Sequence, residues 1–449
     1  MDYDLLHSNM YQRTFEIASW TDPSEPVHYR SLPEAAMFIK LQEALERIDK
    51  SVTPLPAREI PLADAAGCVT AADIVSPMNI PSFDNSAMDG IALRTADLPG
   101  TGPWILPLQE TISAGDSAQK TLEHGHAVKI MTGAPLPVGA DSILPVEEVE
   151  FLNNTAHIQQ LPGKGDFIRT LGSDVRSGDL LFPSRTILKP TDTGILAAVG
   201  FCTVRVIPRP SIAILSTGSE LVPPGEPLIF GQVYNSNITC LEAILRSEGF
   251  TDIHCLPPVS DDRTMIAEAL AGALRNHQVV ISSGGVSMGD RDYIPDVIRD
   301  LGGEILFHKV RIKPGKPALL ARFRLLSDSW LVGLPGNPVS VVVGYHLYAR
   351  RVLRKRMHLP PAPKQNMIPL GLELSVTGKR LNLVGVRMQQ DGDHMVAIPA
   401  VNQTSGKPGS IRGIDGFIRV EPGEILGPGT MVNVEWLPGH HNLDFQEEK

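Results

Sequence analysis

Aromatic residues are scarce in this chain, 5% of 449 positions, and there are four cysteines. Cys68, Cys202, Cys240 and Cys255 lie far apart with no C-x-x-C pair. That argues against a disulfide framework or a zinc ribbon and fits a reducing cytoplasm. The most apolar late stretch, Val339 to Leu347, is too short to span a bilayer. Met1 to Asp4 has no basic n-region and no apolar h-region follows, so no secretory signal is expected. Basic residues are outnumbered 40 to 50, giving a net charge of -10. This speaks against general binding to nucleic acid or membrane surfaces, while leaving room for a local basic pocket. A G-x-G-x-x-G fingerprint, a Walker lysine loop and a G-x-S-x-G elbow are all missing at the expected places, so dinucleotide, P-loop and serine-hydrolase readings fall away. His124, His126, His440 and His441 have no partner at metal-ligand spacing and read as surface residues.

What the chain has in excess is glycine and proline, 40 and 38 residues. Together they make about 17% of the sequence against an average near 12%. Breakers at that density exclude a long helical bundle, and no Gly-X-Y period is present. At roughly 150 residues per domain the length allows about three domains. The hydrophobic fraction of 42% is enough for several cores.

Residues 1–30 lack a period and read as a poorly ordered extension. Ser31-Leu32-Pro33-Glu34 has the form of a capping box and predicts a helix through about Lys50, with Phe38, Leu41, Leu45 and Ile48 on one face. Short alternating runs follow at Ile91–Leu93, Val128–Met131 and Ile143–Val146, separated by glycine and proline, and predict a small β domain. From Arg209 the rhythm changes. Apolar strand patterns at 211–215, 253–256, 279–281 and 331–334 alternate with helical patterns at 235–248, 261–276 and 293–301. A further helix ends at Arg350–Arg356. This is the signature of a doubly wound α/β domain. Beyond Pro360-Pro361 the short strands return, predicting a C-terminal β domain.

Three of the predicted α/β strands end in small, glycine-bearing loops: Ser216–Glu220, Ser282–Asp290 and Leu334–Pro338. In an open parallel sheet ligands bind beyond the carboxyl ends of the strands, and glycine lets backbone N–H groups approach an anion. One such loop is an ordinary turn; three on one edge point to a site. From Ile305 to Ser327 the chain carries Lys309, Arg311, Lys313, Lys316, Arg322 and Arg324 with no acid before residue 328. A charge run is usually a solvated face. Here Pro314 and Pro317 stiffen the backbone around Lys313 and Lys316, which favours phosphate or oxyanion binding. Asp84, Asp89, Glu220, Asp290 and Asp292 sit beside small residues. Singly each reads as a cap or turn residue, but near a phosphate loop they are hard oxygen ligands of the kind Mg²⁺ takes.

Phe83–Gly90, Ile130–Ala134, Ser216–Leu221, Ser282–Tyr293, Ile312–Pro317 and Leu334–Pro338 occur in an order that resembles the molybdopterin molybdenumtransferase family, which includes the E-domain of gephyrin. The resemblance covers roughly residues 31–440. It implies a homodimer of four-domain protomers: an extended helical, dimerising domain (31–79 and 176–208), an inserted β domain (80–175), an α/β nucleotide and molybdopterin-binding domain (209–358) and a C-terminal β-barrel-like domain (359–449). It also implies the reaction: molybdate is inserted into adenylylated molybdopterin with release of AMP, with Mg²⁺ as cofactor and a molybdopterin adenylyltransferase as pathway partner. Carried over by motif, Asp89, Thr132, Asp174, Glu220, Asp261 and Asp292 are the family's functional polar set, with Glu220, Asp261 and Asp292 handling the metal. Ser283, Gly284, Gly285, Ser287, Lys309, Lys313, Lys316, Pro335, Gly336, Asn337 and Pro338 bind the substrate, and Arg387 and Ser410 are the C-terminal contribution to molybdate. In the family Asp89 and Thr132 come from the other protomer. Ile91 stands where the family usually has Tyr, and Ser219 where an acid is common. Two other readings use the same features: a dimeric scaffold, and an adenylyltransferase on the α/β fold alone.

Overall fold

The computed structural model describes residues 37–116, 120–287, 292–361, 366–400 and 406–438. The expected N-terminal extension, the capping box, Asp290, His440 and His441 lie outside these residues.

The centre of the molecule is a seven-stranded sheet: β1 (Met37–Ile39), β2 (Ile212–Ser216), β3 (Ile253–Cys255), β4 (Val279–Ser283), β5 (Glu304–Val310), β6 (Leu319–Phe323) and β7 (Ser329–Leu334), in the order β1-β5-β6-β7-β4-β2-β3. All neighbours are parallel except β6, which runs antiparallel to both β5 and β7. Strands β5 and β6 come from the cationic stretch, whose apolar residues (Ile305, Leu306, Phe307, Val310; Leu319, Leu320, Ala321, Phe323) were masked by its charges.

Both faces of the sheet are covered. Even-numbered β2 residues Ile212 and Ile214 pack with α1 (Leu41–Ser51), α2 (Ser236–Ser247), α5 (Pro338–Gly344) and α6 (Arg350–Arg356), while Ala213 and Leu215 face α3 (Arg263–Asn276) and α4 (Ile294–Asp300). That alternation is the pleat of a strand buried on two sides. Leu41, Ala44, Leu45 and Ile48 form the buried stripe of α1, and each leucine or isoleucine so placed contributes roughly 1.5–3 kcal/mol. The helix is shorter than its sequence pattern predicts. Residues 37–39 are extended and pair with His308–Val310, and Phe38, at φ 61, points outward instead of joining the helix stripe. Residues 37–51 therefore belong to the α/β layer. Between α5 and α6, Tyr345–Ala349 form a buried π-helical turn that no sequence pattern predicted.

The resemblance implied an extended helical domain over residues 31–79 and 176–208. Segments 53–79 and 176–208 are mostly short strands, Arg58–Pro61, Val69–Thr70 and Thr203–Ile207 in one sheet and Ile74–Val75 with Leu180–Phe182 in another, plus one helix of nine residues, Pro190–Ala198. Pro54, Pro56, Pro61, Pro77 and Pro183 remove backbone donors and stop longer helices from forming there. Residues 80–175 hold three small sheets, with Gly90–Leu93 between Val128–Ile130 and Ser142–Pro145 at the centre of one of them. In the C-terminal region Asn366–Pro369, Met431–Trp436, Gly416–Val420, Leu381–Asp391 and His394–Pro399 pair in sequence, and the bridge Leu370–Ala397 returns the last strand to the first. The circuit is a small barrel. It is tied to the α/β layer because Ile312–Lys313 pairs with Leu381–Asn382.

Buried ion pairs lock the helices beneath this junction. The Arg350 guanidinium lies 2.6 Å from the Glu248 carboxylate, which also accepts from the Tyr345 hydroxyl, and Arg350 donates to the Trp436 carbonyl. Arg351 forms a forked pair with Asp49, joining α6 to α1. Replacing Arg350 with Met keeps the volume but leaves Glu248 buried without its cation. The expected loss is about 3 kcal/mol or more, measured by urea unfolding. A loss under about 0.5 kcal/mol would show that the pair is not what fixes the junction.

Candidate active site

Three strands end level with one another. Ser216 pairs with Ser283, and Ser283 with Leu334, so the carboxyl ends of β2, β4 and β7 form one rim. The loops beyond them are bonded side by side: the Thr217 N–H donates to Ser283 O (3.1 Å), and the Gly284 N–H to Leu334 O (3.0 Å). Asn237, in the first turn of α2, donates through Nδ2 to Ser283 Oγ (2.9 Å) and to Gly336 O (2.7 Å), pinning the second and third loops together. Gly284 and Gly285 have φ values of 95° and 68°; a Cβ on Gly284 would sit 2.6 Å from Thr217 O. No L side chain is compatible with that approach, so glycine here is a geometric requirement.

The lysine segment enters the same rim. His308 of β5 pairs with Leu319 of β6, which pairs with Gly333 of β7, so the end of β5 stands level with the other three. The cations then divide into two groups. Arg322, on β6, and Arg324, just beyond it, pair with Asp328 and Glu304 at 2.7 and 3.6 Å. Among the described residues Lys309, Arg311, Lys313 and Lys316 form no ion pair. Lys309 is 8% exposed and holds φ at 68°, rare for a residue with a side chain. Burial, and next the charge of Lys316, push its pKa below the usual lysine value. Lys316 and Arg311 both lie against the ring of Phe38, at 5.3 and 5.1 Å from its centroid. A buried, unpaired, like-charged lysine is costly unless an anion joins it.

The carboxylates are less concentrated than their sequence positions implied. The Ser219 N–H donates to Asp261 Oδ2 (3.4 Å), the Asp261 N–H donates to Ser219 Oγ (3.1 Å), and Glu220 folds back over Gly218. Asp292 lies at the other end of the glycine loop, where its charge is felt by His308. Among the described residues no three His, Cys, Asp or Glu side chains are grouped closely enough to hold a metal ion. Glu220, Asp261 and Asp292 are therefore not a ready three-carboxylate site. Glu220 and Asp261 remain on adjoining loops, the two-carboxylate donor set that Mg²⁺ uses when phosphate and water complete its shell.

Asp89, Thr132 and Asp174 belong to the 80–175 sheets. Thr132 donates to Asp89 Oδ1 from both N–H (2.7 Å) and hydroxyl (2.8 Å). These bonds, the backbone one first, hold the Asp89 carboxyl below its ordinary pKa. Asp174 is exposed on the neighbouring loop, whose Leu171 N–H donates to Asp84. The bonds of Asp89 and Thr132 are to each other and not to the α/β rim. Arg387 donates to the Arg412 carbonyl (3.0 Å) and lines an open cleft of about 380 Å³ with Arg412 and Gly413. Ser410 sits in the turn Pro408–Ile411, and a Cβ on Gly406, just before it, would be 3.7 Å from Asn337 Oδ1. The barrel thus reaches the third rim loop. Pro335 is buried, Gly336, Asn337 and Ser287 are exposed, and Pro338 opens α5.

Sequence reasoning missed Asn237, His308 and Phe38. His308 is buried and bonds through Nε2 to Val286 O (2.8 Å), tying the glycine loop to β5. Its position immediately before Lys309 was the one available signal.

Comparison with known proteins agrees with this layout. Residues 39–200 match the family model described as MoeA N-terminal region (domain I and II), and residues 213–355 match the model described as probable molybdopterin binding domain. The chain is 37% identical over 331 residues to a molybdopterin molybdenumtransferase 2 of Mycobacterium tuberculosis, covering 72% of this chain and 81% of the relative. It is 35% identical to the molybdopterin molybdenumtransferase of Haemophilus influenzae, covering 67% and 73%. Among solved structures, a molybdopterin biosynthesis MoeA protein of Pyrococcus horikoshii superposes with a TM-score of 0.73 at 29% identity, covering 90% of this chain and 100% of that one.

Replacing Thr132 with Val removes one of the two bonds to Asp89 and leaves the other. The Asp89 pKa is expected to rise but stay below the ordinary value, read by NMR titration of the labelled carboxyl; no rise would mean the hydroxyl bond is not formed in solution. A lowered folded-state pKa stabilises above the unfolded pKa, and that contribution is lost as pH falls through the folded one.

Proposed function

The chain belongs to the molybdopterin molybdenumtransferase family, and from that premise we propose that it inserts molybdate into adenylylated molybdopterin and releases AMP. It is an enzyme of molybdenum cofactor biosynthesis. The observation that carries the finer reading is the set of unpaired cations, with buried Lys309 at its centre, beside three level loops. A phosphoanhydride and an oxyanion are the ligands such a rim takes: backbone N–H groups and lysines neutralise the charge that builds on the bridging oxygen and on the departing AMP phosphate. Mg²⁺, when bound, would neutralise phosphate oxygens, and Glu220 and Asp261 are the residues that would hold it. Asp292 then acts at the glycine loop instead of completing a carboxylate triad. The stiff backbone around Lys313 and Lys316 presents two further cations to molybdate.

Asp89 and Thr132 form a second polar centre on a different domain, which also exposes Phe83, Met88, Phe167 and Leu171. Exposed apolar side chains suit a surface that another protein covers. We assign this face to a homodimer in which it meets the partner's α/β rim and completes the site. The molybdopterin adenylyltransferase would supply the adenylylated substrate.

With adenylylated molybdopterin, molybdate and Mg²⁺, AMP release is expected in step with cofactor formation, and omission of molybdate should suppress the product. Lys309→Met should slow AMP release about 100-fold while leaving the melting temperature unchanged or higher, because an unpaired buried charge is removed. Wild-type rates in this variant would overturn the anion-site assignment. Anion affinity should be full below the Lys309 pKa and fall as pH rises through it, earlier than for an ordinary lysine, as read by binding titrations across alkaline pH.

A further inference from the structure

Thr217 directly follows β2 and is 6% exposed, yet among the described residues its hydroxyl has no hydrogen-bond partner. Buried hydroxyls are nearly always bonded, and one left without a partner calls for an explanation. The backbone donors around it are used: the Thr217 N–H donates to Ser283 O, and the neighbouring Gly218 N–H donates to Val259 O. The hydroxyl faces the glycine loop. A Cβ on Gly284 would lie 2.9 Å from Thr217 Oγ1, and one on Gly285 2.8 Å from it. The wall between this hydroxyl and the solvent side of the loop is therefore two partly exposed residues without side chains, both in a left-handed conformation.

We propose that Thr217 is a substrate-binding residue whose hydroxyl donates to a phosphoryl oxygen of the nucleotide part of the substrate. This rests on the reading of the rim as the site for a nucleotide-bearing phosphoanhydride. Its chemistry complements the lysines: they supply charge from one side of the rim, and Thr217 supplies a neutral, directed donor from the strand end. Gly284 and Gly285 put no side chain between Oγ1 and the rim, so a phosphate oxygen bound at this loop approaches the hydroxyl past backbone alone. In the free protein the donor is held ready without a partner, a local cost kept at a functional position.

The account makes a two-part demand on Thr217→Val, which exchanges the hydroxyl for a methyl of the same shape. Removing an unsatisfied buried hydroxyl should leave the melting temperature of the ligand-free protein unchanged or raise it, whereas AMP, used as the probe in calorimetric titrations, should bind about tenfold more weakly. Thr217→Ser keeps the donor and should bind within about twofold of wild type. A lower melting temperature with unchanged AMP affinity would show that the hydroxyl holds a structural water, and would overturn the proposal. Equal AMP affinity in wild type and Thr217→Val overturns it as well, while leaving the reading of the rim intact. Failure of the wild-type protein to bind AMP overturns both.

Discussion

The register of the central sheet is the constraint on which the rest depends. Ser216, Ser283 and Leu334 stand level because three parallel strands are paired without a slip. A one-residue shift in any of them would exchange the residues facing the two cores and move a loop off the rim. The strands can hold that register because both faces are buried: Ile212, Ile214, Val279 and Ile281 on one side, Ala213, Leu215 and Val280 on the other. Packing fixes the strands, and the level rim is what packing leaves at their ends. The fourth contributor, β5, reaches the same level only because β6 reverses direction between it and β7.

Charge is distributed in two distinct ways. Away from the rim, buried cations have partners: Arg350 with Glu248, Arg351 with Asp49, and Arg356 with Thr53 O and Asp328. At the rim, Lys309, Arg311, Lys313 and Lys316 form no ion pair among the described residues. In a protein with a net charge of -10, four cations grouped in this way give the rim its meaning. The Phe38 ring steadies two of the cations without neutralising them. Beneath them the pairing of Ile312–Lys313 with Leu381–Asn382 fastens the same segment to the barrel, so the lysine loop is held from both sides.

Much of this was legible in the sequence, and what was not has physical reasons. The three glycine loops could be read because buried strands are short apolar runs and their ends are marked by breakers. The cationic stretch could be seen but not divided, since pairing with Asp328 and Glu304 depends on a hairpin that the charges themselves obscured. The helical expectation failed at residues 37–39 because Phe38 fits a helical stripe as well as a strand; only the presence of β5 beside it decides. The Asp89–Thr132 bond spans 43 residues and is invisible to local pattern. The three-carboxylate metal set was a consequence of family order, and order along the chain does not fix distance: among the described residues no three such side chains are grouped closely enough to hold a metal ion. The unpartnered Thr217 hydroxyl could not be read at all, because a missing partner is a property of the packed structure.

The central claim is that the level rim, with its unpaired lysines, is where the substrate's phosphates bind. A crystal structure of the protein soaked with AMP and molybdate tests it most directly. AMP phosphate density is expected over the rim loops of residues 217–220, 284–287 and 335–337, with Lys309 turned toward an anion. Density confined to the cleft beside Arg387 and Arg412, with the rim empty, would contradict it.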